Sequence, residues 1–268
     1  MNHPLASYLK RFFSHYLPVQ KGLSPHTLAA YRDAVKLLLC YLADTLTLSV
    51  DTLTVEAITA AHVSDFLDGL EQVRGCRTVT RNARLAAIRS LFAFIAREEP
   101  VLLPQCQAIR AIPLKRAEHK TVAYLEESEM QAVLDAVDID SRTGVRDRAL
   151  LMVLYNTGAR VSEIVGLTRE DLRLHGTCAQ VKLLGKGRKP RSCPLWPETA
   201  EALQAYLQQR HPAQSATEQV FLNANGLPIT RFGIRYVTRK YGARALAPSS
   251  HKVVKPHSVR RHTCLLYT

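Results

Sequence analysis

Long apolar runs and targeting signals are both missing from this sequence of 268 residues. No apolar run approaches the ~20 residues that a membrane-spanning helix requires. The N-terminal MNHPLASYLKRFF has no apolar stretch followed by a small-residue cleavage site. Internal repeats and low-complexity tracts are absent as well. The sequence therefore predicts one or two globular domains that do not enter a membrane, in a protein that stays in the cytoplasm.

Cysteine has no pattern that indicates a disulfide framework or a metal site. The six cysteines are scattered, without a CxxC pair or a His/Cys cluster at zinc spacing. We therefore expect free thiols in a reducing compartment, and the sequence predicts neither a metal nor any other cofactor. The six are Cys40, Cys76, Cys106, Cys178, Cys193 and Cys264.

Acidic residues are scarce towards the C-terminus, where basic residues accumulate. The formal net charge is +13, from 36 Lys and Arg against 23 Asp and Glu. Residues 1–98 carry 11 basic and 8 acidic side chains (+3), whereas residues 121–268 carry 21 and 13 (+8). No Asp or Glu follows Glu218, but nine Lys or Arg do. This distribution predicts a basic face for a polyanion such as double-stranded DNA; a uniformly basic surface is the plainer alternative.

Residues 1–98 are predicted to form an all-helical bundle. In SPHTLAAYRDAVKLLLCYLADTL, Ser24 is suited to the N-cap and Pro25 to the first helical position. Apolar residues recur at helical spacing in TAAHVSDFLDGLEQ and in TVTRNARLAAIRSLFAFIARE, and the segment MNHPLASYLKRFFSHYL precedes them. The last of these helices has a second, basic face that we expect to contact DNA. It is formed by Arg77, Arg81, Arg84 and Arg89.

Residues 99–120 differ from both flanking regions. EPVLLPQCQAIRAIPLKRAEHK has three prolines, no clear period and a basic end. It predicts an interdomain linker, with the boundary near residues 117–120. Residues 121–268 mix helical patterns with short strands joined by glycine-rich turns. The predicted fold class is therefore multidomain, with an N-terminal helical bundle and a C-terminal mixed α/β domain.

Two segments of the second domain place basic residues at turns. In NTGARVSEIVGLTREDL one helix stops at Gly158 and the next begins, which places Arg160 at the turn. A single arginine after a helix stop is by itself most simply a solvated cation. In LLGKGRKPRSCPL, basic residues surround a Gly-Lys-Gly hairpin turn, which is either an exposed basic hairpin or a phosphate contact. They are Lys182, Lys186, Arg188, Lys189 and Arg191.

A third segment, KPHSVRRHT, places His257 and Arg260 on one face of a helix because they are three residues apart. Pro256 is suited to the first turn of that helix. Metal binding is the alternative for a His-rich segment. It is weakly supported, since His257 and His262 are five apart and no carboxylate lies nearby in the sequence.

Taken together, TGARVSEIVGL, GKGRKPR and HSVR closely resemble the catalytic core of the tyrosine recombinases. This phage integrase family includes Xer-type and mobile-element integrases. The N-terminal GLSPHTLAAYRDAVKLLLCYL resembles the family's SAM-like core-binding domain, and the resemblance runs from about Leu5 to His262. It implies a core-binding domain over residues 1–98 and a catalytic domain over residues 121–268 that is incomplete at its C-terminus.

The resemblance implies a role for each matching residue. Arg160 matches the family's first catalytic arginine, Lys186 the β-hairpin lysine, and His257 with Arg260 the HxxR pair. Two guanidiniums can bind the non-bridging oxygens of the attacked phosphodiester, which stabilises the transition state more than the ground state. A lysine can protonate the departing 5′ oxygen, and a histidine can assist the nucleophile. The other hairpin cations, expected to contact DNA, are Lys182, Arg188, Lys189 and Arg191.

The family's nucleophile is a tyrosine that forms a 3′-phosphotyrosine intermediate, and it follows HxxR after two more helices. Here the sequence ends at Thr268, and Tyr267 is the only tyrosine after the motif. Tyr267 comes too early to match, so it is a weak candidate for the nucleophile. The family usually has HxxRH, whereas this sequence has HSVRRH, in which Arg261 is an insertion. The insertion and the early end together favour a frameshift or a truncated gene, and a polypeptide that binds DNA without recombining it.

Two functions follow from the resemblance. The first is breakage and rejoining of DNA strands, and the second is a non-catalytic remnant or regulator that binds DNA. A basic helical regulator outside the family is a third interpretation, but it requires three motifs to coincide by chance. The resemblance also implies two domains that clamp the duplex, self-association on DNA as tetrameric synapses, and a place at the bacterial nucleoid.

Overall fold

The protein folds as two compact units, residues 1–119 and 120–268. The computed structural model describes residues 3–118, 125–175, 178–185, 187, 189–210, 217–246 and 252–259. The first unit is helical, and the second combines helices with a three-stranded antiparallel sheet. The predicted fold class is therefore confirmed. None of the described helices has the length and apolar character that crossing a membrane requires.

The first unit is built from helices α1 to α5, with a π-helix directly after α1 and two short 3-10 turns. The helices are α1 Leu5–Arg11, the π-helix Phe12–Gln20, α2 Pro25–Leu46, α3 Ala60–Gln72, α4 Thr78–Glu98 and α5 Leu103–Ala111, and the turns are Val50–Thr52 and Pro100–Leu102.

Helix α2 begins where the local signals place it. Ser24 is the N-cap, and its hydroxyl accepts a hydrogen bond from the backbone N–H of Thr27 at 3.3 Å, with Pro25 at the first helical position. This satisfies one of the N–H groups that a helix start leaves without a partner. The helix ends at Thr47, which adopts the left-handed conformation (φ 54°).

The segment predicted as a linker contains helix α5, which joins the core of the first unit. Cys106, Ile109 and Ile112 are buried with the side chains of α4. Pro100 begins the 3-10 turn and Pro104 lies in the first turn of α5, where a proline lacks no hydrogen bond that the helix needs. These two prolines therefore begin helical segments, whereas the sequence predicts an irregular linker here.

Two arginines of the face predicted to contact DNA hold the chain that leaves α5. Arg81 is buried and donates a hydrogen bond to the carbonyl of Pro113 at 2.9 Å. Arg89 is half-buried and donates to the carbonyl of Ile112. Both side chains therefore point towards the segment after α5, because that segment covers part of the face that the helical period marks as polar.

The second unit packs its helices and sheet around one apolar core. Its elements are α6 Glu127–Asp135, α7 Gly144–Thr157, α8 Val161–Val165, β1 Leu172–Arg173, β2 Gln180–Leu184, β3 Pro190–Pro194, α9 Pro197–Gln208 and α10 Arg231–Ala245. The strand order is β1-β2-β3, and both pairings are antiparallel. Helix α7 is buried along most of its length, so it forms the centre of this core.

A buried carboxylate connects α7 with α10. Asp147 accepts a hydrogen bond from the hydroxyl of Tyr241 at 2.9 Å and pairs with Arg146 at 2.6 Å. Further along α10, a Cβ placed on Gly242 would lie 2.4 Å from the side chain of Val254. The segment that contains His257 therefore packs directly against α10, and only a glycine leaves room for it.

Candidate active site

Arg160 lies in the turn between α7 and α8, as the sequence predicts. Gly158 ends α7 in the left-handed conformation (φ 56°), and Arg160 follows as the N-cap of α8 with extended backbone. Its backbone N–H donates to Oε2 of Glu163 at 2.8 Å, and its Nη1 donates to Oε1 at 3.0 Å. The side chain of Glu163 thus holds both the backbone and the guanidinium of Arg160.

Glu163 also binds Arg191, which comes from strand β3. Nη1 of Arg191 donates to Oε1 of Glu163 at 2.9 Å, and Nη2 donates to Oε2 at 2.7 Å. This two-point geometry is the strongest form of an arginine–carboxylate pair. Glu163 therefore joins a turn and a hairpin that are 28 residues apart in the sequence.

The carboxylate of Glu163 is ionised in the folded protein. Its side chain is only 2% exposed, and this burial by itself raises the pKa. Hydrogen bonds from Arg191, and then from Arg160, outweigh the burial and lower the pKa to about 2. One negative charge is therefore shared by two guanidiniums, and the cluster keeps a net positive charge at neutral pH.

The guanidinium of Arg160 remains accessible to a ligand. Its side chain is 40% exposed, and that of Arg191 is 36% exposed. A guanidinium has five N–H donors, and among the described residues the side chain of Arg160 donates only to Glu163. The remaining donors of Arg160 are oriented by this contact, so the cluster can bind one oxyanion without first rearranging.

Of the hairpin cations, the structure describes Lys182, Lys189 and Arg191, and strand alternation separates Lys182 from Arg191. Arg191 is paired with Leu183 across the sheet and lies on the side that meets Glu163. Lys182 points to the opposite, exposed side, and Lys189 is exposed in the turn. The structure therefore gives Arg191 a partner within the protein, and its contact with DNA stays a prediction.

Glycine at position 185 leaves room for the ion pair beside the hairpin turn. A Cβ on Gly185 would lie 3.2 Å from the carbonyl oxygen of Lys189 and 3.4 Å from Nη1 of Arg191. Gly187 has a positive φ of 74°, a conformation that favours glycine. Close packing at Gly185 and the positive φ at Gly187 thus explain both glycines of the Gly-Lys-Gly turn.

His257 lies in a short helical segment over residues 256–259, with an exposed side chain. Its neighbours Ser258 and Val259 are buried. Lys252 anchors the start of the segment, since its ammonium group contacts both carboxylate oxygens of Glu129 at 2.8 Å. The predicted site residues Lys186, Arg188, Arg260 and Tyr267 lie outside the described residues.

Two of the four arginines predicted to contact DNA, Arg77 at the N-cap of α4 and Arg84 within the helix, remain candidates. Arg77 is exposed, and Arg84 is half-buried and contacts the sulfur of Cys76 at 3.2 Å. Arg81 and Arg89 instead hold the chain after α5, as described above. The described contacts therefore leave Arg77 and Arg84 the better placed of the four.

Helix α10 presents a basic and aromatic surface that the predicted site residues did not include. Phe232 is 81% exposed and Tyr236 is 67% exposed, and Arg235 and Arg239 lie between and beyond them on the same face. Their spacing of three and four residues is the signal that could have identified this surface. Glu163 was also missed, although its distance of three residues from Arg160 is the spacing of a capping box.

Comparison with known proteins gives the same assignment over most of the chain. Residues 123–266 match the phage integrase family, and residues 9–99 match the phage integrase N-terminal SAM-like domain. A putative integrase/recombinase of Sinorhizobium fredii, y4rD, is 36% identical over 261 residues, which cover 96% of this chain and 93% of that protein. Tyrosine recombinase XerC of Staphylococcus carnosus is 30% identical, over 95% of this chain and 81% of that protein.

The likeness extends to solved structures. A lambda integrase tetramer bound to a Holliday junction has a TM-score of 0.68 at 17% identity, over 98% of this chain and 73% of that chain. At this identity the likeness shows the fold alone. The matches to both domains, together with the relatives that cover nearly the whole chain, confirm the resemblance seen in the three motifs: the chain belongs to the phage integrase family of tyrosine recombinases.

Proposed function

We propose that this protein is a site-specific recombinase, which binds duplex DNA, cuts its strands and rejoins them through a 3′-phosphotyrosine intermediate. The observation that carries the proposal is the arrangement of Arg160 and Arg191 around the buried carboxylate of Glu163. Preorganised guanidiniums stabilise the charge that develops on a phosphate under attack. Membership of the phage integrase family supports the same reaction.

Each residue of the proposed site has a separate task. Arg160 binds a non-bridging oxygen of the scissile phosphate. Glu163 is a positioning residue, because it contacts the arginines and not the phosphate. Lys186 protonates the departing 5′ oxygen, and His257 and Arg260 act on the same phosphate as the HxxR pair. A tyrosine oxygen attacks phosphorus and the tyrosine gives its hydroxyl proton to His257, while the bond from phosphorus to the 5′ oxygen breaks and that oxygen leaves with the proton donated by Lys186.

The DNA surface of the second unit includes α10 and the hairpin. Arg235 and Arg239 supply charge for backbone phosphates, and Phe232 and Tyr236 supply apolar surface for base edges or sugars. The exposed Lys182 and Lys189 add charge at the hairpin, and Arg77 and Arg84 do so in the first unit. Binding of this kind releases counterions, so it weakens steeply as salt is added.

Self-association on DNA is part of the proposal. A related fold is known as a lambda integrase tetramer bound to a Holliday junction, and two strand exchanges between two duplexes need more than one active site. We place this activity at the bacterial nucleoid in the cytoplasm, because its substrate is duplex DNA.

Nicked duplexes provide the test, because a strand cut near a nick diffuses away and leaves the protein covalently attached. A set of such duplexes is tiled across the DNA that flanks the gene, incubated with the protein and separated under denaturing conditions. We expect a covalent adduct on a subset of duplexes, reduced by about 100-fold or more in Arg160→Ala. The exposed Arg173 provides a matched control, since Arg173→Gln also removes one positive charge from the second unit.

The same assay separates catalysis from binding alone. Salt-dependent binding without an adduct on any duplex would contradict the recombinase and support a DNA-binding regulator. If an adduct forms with the unmodified protein and disappears with Tyr267→Phe, Tyr267 is the nucleophile. An adduct that persists in Tyr267→Phe assigns the reaction to another tyrosine.

A further inference from the structure

A pocket rich in arginine lies at the other end of α7 from Arg160. Thr143 and Val145 line it at the N-terminal end of this helix, whereas Arg160 follows the C-terminal end. Helix α7 has 14 residues, which corresponds to about 21 Å at about 1.5 Å per residue. The pocket is therefore separate from the candidate active site.

Three guanidiniums line this pocket, and they come from two different parts of the unit. Arg142 and Arg146 lie at the start of α7, and Arg210 follows α9. Each also donates to backbone carbonyls of residues 219–224, at distances of 3.0 to 3.4 Å. These bonds hold the guanidiniums around the pocket, so the cost of ordering them is met before a ligand binds.

The charge of the Arg142 guanidinium is not balanced by a carboxylate of the described residues. Asp147 pairs with Arg146 but also lies 3.8 Å from the ammonium group of Lys240. No carboxylate belongs to the described lining of the pocket, and none pairs with Arg142 among the described residues. The pKa of Arg210 is lowered, first by burial and then by repulsion from Arg169. The N-terminal end of α7 adds a further partial positive charge.

A buried hydroxyl completes the set of donors. The side chain of Tyr206 lines the pocket and stacks on Phe221, with ring centroids 5.7 Å apart. Its oxygen accepts a hydrogen bond from the backbone N–H of Leu222 at 3.1 Å. No described residue accepts a hydrogen bond from the hydroxyl of Tyr206. A buried O–H without an acceptor lowers the stability of the fold.

We propose that this pocket binds one phosphate group. Its volume is about 200 Å³, room for roughly six waters at about 30 Å³ each, which suits a small ion better than a larger organic ligand. The donors approach from several walls, and a tetrahedral phosphate presents oxygens in several directions. A carboxylate presents two oxygens in one plane, which fits a single arginine fork. The phosphate is either a free ion or part of a DNA backbone.

Thermal unfolding of the full chain tests the proposal, with sodium phosphate replacing sodium chloride at constant ionic strength and sodium acetate as the carboxylate probe. We expect phosphate to raise the unfolding temperature more than acetate or chloride, by preferential binding to the folded state. Arg142→Gln should weaken phosphate binding by about tenfold, and Tyr206→Phe by about threefold or more. Arg173→Gln, which removes the same charge outside the pocket, should change the binding by less than about twofold.

Tyr206→Phe keeps the ring stack but leaves the N–H of Leu222 without an acceptor. The unfolding temperature of this variant in chloride alone therefore serves as its own baseline.

The two sources of phosphate are separated by repeating the titration with a saturating 30-base-pair duplex of random sequence. The part of the phosphate effect that Arg142→Gln removes belongs to the pocket and not to the candidate active site. If the duplex abolishes that part, the pocket takes a backbone phosphate; if that part persists, it takes the free ion. An equal effect of acetate, or equal losses in Arg142→Gln and Arg173→Gln, would overturn the proposal. DNA cleavage is measured separately, so neither result depends on the recombinase assignment.

Discussion

Arg191 on β3 donates two hydrogen bonds, of 2.9 and 2.7 Å, to the carboxylate of Glu163 on α8. The same carboxylate accepts a hydrogen bond of 3.0 Å from the guanidinium of Arg160. The carboxylate is buried, whereas both arginines are partly exposed. Glu163 therefore fixes the position of two cations at the surface of the second unit. Substitutions of Glu163 should therefore change both the free energy of unfolding and the rate of DNA cleavage.

Replacing Glu163 with glutamine should destabilise the protein. The amide keeps one acceptor but directs its NH₂ towards a guanidinium, so a charged hydrogen bond is lost at a buried position. We expect the free energy of unfolding to fall by about 1–3 kcal/mol, as measured by urea denaturation at pH 7. Glu170→Gln, at an exposed position seven residues later, should change it by less than about 0.5 kcal/mol. Equal effects of the two substitutions would contradict the role of Glu163.

Glu163 should also make stability depend on pH in the acid range. Its pKa is lowered from 4.5 to about 2 on folding, so the unfolded chain binds a proton more readily than the folded one. The stabilisation is fully present above the unfolded pKa and is lost as the pH falls through the folded pKa. Between about pH 5 and pH 2, the unfolding free energy of the wild-type protein should fall more steeply than that of Glu163→Gln. Parallel curves for the two proteins would refute this assignment.

The packing of the segment that contains His257 against α10 should require glycine at position 242. A Cβ at this position would overlap the side chain of Val254 at 2.4 Å, so Gly242→Ala is expected to cost about 1–3 kcal/mol of stability. Combining Gly242→Ala with Val254→Gly should recover part of the loss, because both atoms of Val254 that lie 2.4 Å from the added Cβ, its Cβ and Cγ2, are then removed. Gly69→Ala is the matched control, since a Cβ there meets nothing within 4 Å and α3 should gain about 0.5–1 kcal/mol. An additive double variant would mean that the two residues do not clash.

Local signals predict most of the helices, but not what covers their faces. Ser24 with Pro25, and Gly158 after Thr157, mark helix ends because caps and left-handed turns depend on a few adjacent residues. The period of α4 marks Arg81 as polar, yet it cannot show that the chain after α5 lies over it. Which residues cover a face is a tertiary property. Helix α5 was not predicted because the three prolines of residues 99–120 favour an irregular segment.

The parts of the site that depend on adjacent residues could be predicted from the sequence. The parts that depend on which strands and side chains pair could not. Arg160 follows from a helix stop, and its position in the turn is as expected. Strand alternation separates Lys182 from Arg191, and counting by two along β2 and β3 reveals this only once the register is known. Glu163 lies within the quoted motif, but its importance comes from Arg191, 28 residues later, which no local pattern indicates.

The exposed face of α10 gives a prediction that separates charge from apolar contact. If Arg235 and Arg239 neutralise DNA phosphates, each Arg→Gln substitution should reduce the slope of log affinity against log salt by about 0.9. Phe232→Ala removes apolar surface and no charge, so it should lower affinity at every salt concentration and leave the slope unchanged. Fluorescence anisotropy with a 30-base-pair duplex between 50 and 200 mM salt, concentrations that span the range over which such slopes are measured, provides both quantities. Arg173→Gln reports the effect of losing one positive charge elsewhere in the unit. If the slope changes equally in Arg173→Gln and Arg235→Gln, the effect is one of net charge, and α10 is not the DNA-binding surface.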